Sequence, residues 1–160
     1  MSIDKVREFL ASRGAGERIQ EFDVSSATVD LAARALGCEP CRIAKTLSFM
    51  VGGAPVLIVA AGDARVDNRA FKARFASKAK MLLPDEVVEL VGHAVGGVCP
   101  FAVNEGVEIY LDESLRRFDT VFPACGSANS AIELTIAELE ELSAPRSWVD
   151  VCKGWRDAGQ

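Results

Sequence analysis

Lys45 is the one charge in an otherwise apolar run, Ile43-Ala44-Lys45-Thr46-Leu47-Ser48-Phe49-Met50. The run alternates with the period of a β-strand, so Ile43, Lys45, Leu47 and Phe49 share a face. An ammonium among three core-seeking side chains is costly unless it meets a polar cleft, a partner or a ligand. Edge strands also use inward lysines against aggregation, so a structural role stands beside the chemical one. Thr46 faces the other way and reads as packing. Two glycine-rich segments accompany this cation, Gly92-His93-Ala94-Val95-Gly96-Gly97-Val98-Cys99-Pro100-Phe101 and Gly126-Ser127-Ala128-Asn129. Small residues there let backbone approach another group closely. A cation beside exposed backbone N–H groups suits binding an anion, or stabilising an oxyanion formed during acyl transfer.

Most other chemistry is poorly supplied. His93 is the only histidine, so a Ser-His-Asp triad would have to use it, and no Gly-x-Ser-x-Gly elbow is present. Cys99 with His93 as its base would make a thiol nucleophile; a small residue filling a tight turn is the competing reading. No Walker loop or Gly-x-Gly-x-x-Gly spacing occurs, so no nucleotide cofactor is expected. Cys38-Glu39-Pro40-Cys41 has half-zinc-site spacing without a second pair, and no metal is expected. A thioredoxin-type pair would follow a strand, whereas this one precedes a strand. Lys45 and the two glycine-rich loops supply no general base, so a hydrolase built from them would draw its base from the substrate.

Charge narrows the partners. The net charge of −5 argues against nonspecific nucleic-acid binding, including DNA. Within 64–82, however, Arg65, Arg69, Lys72, Arg74, Lys78 and Lys80 face only Asp67, while 85–141 is mostly acidic. Such a stretch suits a transient polyanion contact at one edge, or a solvated helix face. The mean hydropathy of +0.16 arises from scattered Ala, Val and Leu, with no membrane-spanning run and no signal-peptide pattern. The five cysteines are expected to be reduced in the cytoplasm.

The elements that would position these groups read as one α+β domain over 1–160, with no repeat or linker. A helix capped by Ser2 ends near Gly14, and a short strand covers 19–22. Ser26 is expected to cap a second helix that stops at Gly37. The Lys45 strand turns at Gly52-Gly53 into a strong strand over 55–61 that Gly62-Asp63 breaks. A helix over 67–75, a short strand over 80–82 and a helix opened by Pro84 follow. Strands are expected at 107–111, 120–124 and 131–134. Thr135-x-x-Glu138 is a capping box opening the helix to Leu142. The tail over 144–160 is expected to form a short helix or fold back over the body. Paired strands with interspersed helices favour a mixed, mainly antiparallel, barrel-like sheet.

Taken in order, Ile43-Ala44-Lys45-Thr46-Leu47, Gly62-Asp63, the segment 92–100, Cys125-Gly126-Ser127 and Ile132-Glu133-Leu134-Thr135 resemble the YbaK/ProRS-associated aminoacyl-tRNA editing domains. The resemblance runs from about 17 to 142. It implies a compact barrel-like sheet surrounded by helices. It also implies hydrolysis of the ester joining a wrong amino acid to tRNA, most often tRNA for proline. The family's lysine corresponds to Lys45, its Gly-Gly-x-x-Pro loop to Gly96, Gly97 and Pro100, and its later loop to Gly126 and Ser127.

In that family a ribose hydroxyl or a substrate thiol assists, so no triad is implied. Lys45 would then fix the substrate near its ester or terminal phosphate, and N–H groups of Gly97, Val98 and Gly126 would hold the oxyanion. Phe22 falls where cysteine-specific members carry tyrosine, Ala131 where they carry aspartate, and Cys99 replaces the usual loop serine. His93 either lines the pocket or is structural. Arg65, Arg69, Lys72, Arg74 and Lys80 become candidate tRNA phosphate contacts. The partners implied are an aminoacyl-tRNA and an aminoacyl-tRNA synthetase. A non-catalytic binding module of the same fold, or a thiol enzyme using Cys99, are the rival readings.

Overall fold

The computed structural model describes residues 2–156, and all counts below are of those residues. In chain order the elements are α1 (Ser2–Ala11), β1 (Gln20–Glu21), α2 (Val29–Leu36), β2 (Ile43–Val51), β3 (Ala54–Ala61), β4 (Arg65–Val66) and α3 (Asn68–Phe75). Then come α4 (Pro84–Glu86), continued by a π turn (Val87–Val91), β5 (Glu108–Asp112), β6 (Thr120–Pro123), β7 (Ser130–Ala131), β8 (Leu134–Thr135), α5 (Ile136–Ser143), β9 (Ser147–Val149) and β10 (Cys152–Lys153).

The hairpin β2–β3 organises everything else. Its strands pair antiparallel from Ala44↔Ala61 to Val51↔Ala54 around the Gly52-Gly53 turn. Six consecutive residues of β3, from Val56 to Ala61, are at most 1 % exposed. That unbroken apolar run marks a strand covered on both faces. It lies at the centre of a curled six-stranded sheet ordered β8-β6-β2-β3-β5-β9. The architecture is the mixed α+β sheet expected from the sequence. Parallel pairings join β2 to β6, β3 to β5 and β5 to β9, while β2–β3 and β6–β8 are antiparallel. Two small antiparallel pairs, β1–β7 and β4–β10, tie loops together outside the main sheet.

On the Lys45 face, Phe49, Phe71, Phe75 and Tyr110 pack as a chain of rings with centroids 4.9, 4.7 and 5.1 Å apart. This cluster seats α3 against the sheet. Asp112 is fully buried and joins three segments: its carboxylate accepts from Ser114 N (2.9 Å) and Val151 N (3.0 Å). Ser114 Oγ in turn accepts from Ala61 N at 3.0 Å.

Several boundaries differ from the sequence expectation for local reasons. Thr28, not Ser26, caps α2, because its side chain accepts from Leu31 N at 3.2 Å. The strand expected over 131–134 is two separate strands, β7 and β8, that pair with different partners. The strand over 80–82 is a single bridge, Met81 to Phe49. The tail folds back as β9 and β10 rather than as a helix, and its residues 157–160 lie outside the described residues. The capping box at Thr135 forms in both directions, Glu138 N to Thr135 Oγ1 and Thr135 N to Glu138 Oε1.

Two predictions follow from this framework. Replacing Asp112 by Ala strands two buried N–H donors, so chemical denaturation should show a loss of about 2–4 kcal/mol. Arg18 donates to Glu138 at 2.6 Å and, with the Thr135 N–H, holds the Glu138 carboxyl at about 2 against its ordinary 4.5. A depressed carboxylate stabilises the fold above its unfolded pKa and loses that contribution as pH falls through its folded one. An acid titration should therefore show wild type losing stability between pH 4.5 and about 2 through a component that Glu138→Gln lacks.

Candidate functional site

β2 is paired along one side by β3 but only at its ends along the other. Ile43 and Ala44 pair with β6. At the far end Leu82 N donates to Ser48 O (3.1 Å) and Met50 N to Lys80 O (2.9 Å). Between these points the strand edge is open, and a cavity of about 340 Å³ lies against it. In an antiparallel ladder alternate residues turn their backbone groups away from the partner strand. Ser48 O and Met50 N point away from β3, and by that alternation the Thr46 N–H and C=O point the same way. The opposing walls come from the loop before α2 (Ser26, Thr28), the glycine loop (Gly96, Val98) and Val87. Lys45 is the only charged residue among the lining residues.

The Lys45 ammonium donates to the carbonyls of Gly62 (3.3 Å) and Ala64, in the turn that ends β3. Its nearest acid, Asp63, is committed to a two-point pair with Arg117 at 2.6 and 3.0 Å. Burial lowers the Lys45 pKa, partly offset by Cys152 and Asp63, while Arg65 lowers it further. An ammonium has three N–H donors, so these two carbonyls leave one for a ligand.

The two glycine loops touch. A Cβ on Gly97 would stand 2.6 Å from Ser127 N and 2.8 Å from Gly126 C, so no side chain fits there. The Gly97 N–H is already used, donating to Ala94 O at 3.0 Å, and so cannot serve as the expected oxyanion donor. The Val98 N–H has no partner among the described residues, and Val98 lines the cavity. Gly126, Ser127, Phe22 and Pro100 do not line it. They act one layer back: Phe22 N donates to Asn129 O (2.8 Å), and Ser127 Oγ bonds Ser130 Oγ (2.6 Å). Ala131 does line the cavity and keeps that wall apolar.

His93 and Cys99 sit behind the loop, not in the cavity. His93 is 1 % exposed, and its Nε2 donates to Phe101 O at 2.8 Å, which assigns the proton to Nε2. Nδ1 then accepts from the Ser2 hydroxyl. Burial lowers its pKa, so the ring is neutral and structural, fastening α1 to the loop. Cys99 lies 3.6 Å from His93 Nε2, the nitrogen whose proton is already committed. Burial pushes its thiol up to about 12. A protonated, fully buried thiol without a base is no nucleophile, which corrects the thiol-enzyme reading.

The basic residues divide. Arg65, Arg69, Lys72 and Lys80 are exposed and have no ion-pair partner among the described residues. Arg69, Lys72 and Lys78 line a second, shallower cleft. Arg74 is committed elsewhere: it donates to Ser147 Oγ (3.2 Å) and lies over the rings of Phe75 and Tyr110. Among the described residues no three His, Cys, Asp or Glu side chains gather to hold a metal ion, and no helix is long and apolar enough to cross a membrane.

Two cavity residues escaped the sequence reading. Ser26 was expected as a helix cap, although Thr28 stands nearer the first helical residue. Thr46 reads as packing because nothing local reveals that its strand edge is open.

A largely apolar cavity lined by one cation, by hydroxyls without an activating base and by Val98, whose backbone N–H is unpaired among the described residues, suits a compact acyl or anionic group. The chain belongs to the aminoacyl-tRNA editing domain family, whose model matches residues 24–142. It is 53% identical over 156 residues to the uncharacterized protein YwhH of Bacillus subtilis (strain 168), covering 97% of this chain and 99% of that one. Among solved structures it is similar to a candidate trans-editing enzyme for prolyl tRNA synthetase, with a TM-score of 0.85 and 31% identity. That match covers 96% of this chain and 98% of the other. A hypothetical protein, APE2540, matches with a TM-score of 0.83 and 30% identity over 93% of this chain and 99% of its own.

Thiol chemistry checks this arrangement. Cys99, Cys125 and Cys152 are buried and Cys38 and Cys41 are half-buried. A thiol reagent near neutral pH should label Cys38 and Cys41 in the native protein and the other three only after denaturation; fast labelling of Cys99 would contradict the geometry.

Proposed function

We propose that the protein is a free-standing trans-editing aminoacyl-tRNA deacylase. Its expected substrate is tRNA for proline carrying a small or polar amino acid. The observation that carries this reading is the cavity itself, which is lined by Lys45, Val98 and several hydroxyls but by no histidine, cysteine or carboxylate that could act as or activate a nucleophile. That inventory suits a reaction in which the substrate supplies the base. Membership of the editing-domain family and the similarity to a candidate trans-editing enzyme support it.

In this mechanism the amino acid enters the cavity with its ester at the open edge of β2. The terminal ribose hydroxyl of the tRNA helps a water attack the ester carbonyl. The Val98 N–H meets the developing oxyanion, and the tight Gly97 contact keeps that donor in place. Lys45 fixes the ester end through its remaining N–H and does not attack it. Arg69, Lys72 and Lys78, flanked by Arg65 and Lys80, meet the tRNA phosphates; Arg74 is left out because its guanidinium is engaged. A synthetase could then receive the corrected tRNA from the same complex.

With the true substrate, Lys45→Ala should lower the single-turnover deacylation rate by roughly 10²–10³-fold, as expected for an electrostatic group at a reacting ester. Near-normal turnover would end the proposal. Affinity for tRNA should fall as salt rises, and neutralising Arg69 and Lys72 together should shallow the log–log slope by about 2.

A further inference from the structure

We propose that the hydroxyls of Ser26 and Thr46 are the specificity-determining groups of the cavity. They select a neutral side chain that itself bears a hydroxyl. This deepens the deacylase reading and rests on it for the identity of the cargo as an amino acid.

Among the described residues, two buried side-chain polar atoms have no hydrogen-bond partner, Ser26 Oγ and Thr46 Oγ1. Both residues line the one cavity that holds Lys45. Buried hydroxyls are nearly always satisfied, because leaving one unmet is destabilising. Two exceptions in one cavity mark it as a place where a ligand completes the bonding.

Neither residue is loose. Ser26 is 7 % exposed, and its own N–H donates to Ala128 O at 2.6 Å, in the second glycine loop. Freed of the capping role that Thr28 takes, its hydroxyl has no competing local use. Thr46 lies in the middle of β2, pinned opposite Val59 by the hairpin ladder. Its hydroxyl therefore occupies a rigid position, as a recognition group must.

The chemistry of the walls selects the cargo. An apolar side chain would leave both hydroxyls unmet. A cationic one would find no carboxylate among the lining residues and would face Lys45. An anionic one would take the remaining N–H of the ammonium, the donor that the ester end of the substrate needs. A hydroxyl both donates and accepts, as do those of Ser26 and Thr46. The cavity, about 340 Å³, has room for a whole amino acid, so its polar groups rather than its size discriminate. Serine is the simplest fit, and 2-aminobutyrate, with a methyl in place of the hydroxyl, is its matched control.

The test compares non-hydrolysable 3′-amide adenosine conjugates of serine and 2-aminobutyrate, with wild type, Ser26→Ala, Thr46→Val and Thr46→Ser. Deacylation of the corresponding aminoacyl-tRNAs is measured alongside. Wild type should bind the seryl conjugate at least about tenfold more tightly, the scale of one net hydrogen bond. Ser26→Ala and Thr46→Val should reduce that preference below about threefold without weakening the 2-aminobutyryl conjugate, and Thr46→Ser should keep it. The melting temperatures of Ser26→Ala and Thr46→Val should equal or exceed that of wild type, since each removes an unmet polar group. Equal binding of the two conjugates by wild type, or a parallel loss of both in the variants, would overturn the inference. Selective binding without turnover of any aminoacyl-tRNA would sink the deacylase reading and leave the selectivity standing. Turnover with no hydroxyl preference would do the reverse.

Discussion

The site depends on the incomplete pairing of one strand. β2 has a partner for eight residues on the β3 side, yet on its other side only its two ends are bonded. Had β6 continued alongside, the gap would be filled by a neighbouring strand about 5 Å away and no cavity could exist there. Instead β6 leaves after Pro123, and the next bonding on that side of β2 is made by the earlier segment around Met81. An open edge inside a domain normally invites unwanted pairing. Here the loop before α2, the glycine loop and the turn after α4 cover it without bonding to it, so the edge is shielded from other chains but free for a small ligand.

The same strand solves the problem of its own lysine. Its side chains have different tasks: Phe49 joins the main core, while Lys45, Thr46 and Leu47 line the cavity. The cation stands where β2 passes the end of β3, and the turn there supplies oxygen atoms rather than a carboxylate. A neutralising acid would have formed a closed ion pair, with little attraction left for a ligand. Carbonyl dipoles satisfy two of the three N–H donors while leaving the positive charge in place. Asp63, the one acid nearby, is held by Arg117, which keeps it from closing that pair.

Much of this was legible in the sequence, and the limits have physical causes. The hairpin, the helix ends at Thr135 and Pro84 and the importance of Lys45 follow from local signals: strict alternation, capping chemistry and a charge out of place. The parallel neighbours of β3 and β2 were not legible, because β5 and β6 reach them across long connections that leave no local mark. The site was half legible for the same reason. Lys45, Gly96 and Val98 line the cavity, whereas His93 and Cys99 belong to the layer behind it. Residue type alone does not tell a buried imidazole bonded at both nitrogens from one facing a substrate. Ser26 and Thr46 carry the converse lesson. Their importance lies in bonds they do not make, and a missing bond has no signature along a chain.

The carbonyls that anchor Lys45 belong to the main chain, and this shapes how the protein can drift. A side-chain acceptor disappears with a single codon change; the oxygens of Gly62 and Ala64 survive any replacement of Ala64's methyl that preserves the turn. The vulnerable point is Gly62, where a Cβ would come within 2.0 Å of Pro40 O and 2.8 Å of Val29 Cγ1. Across diverging descendants, then, the setting of the cation is inherited through two positions, 45 and 62. The residues lining the walls around it can change in the meantime, and with them the cargo.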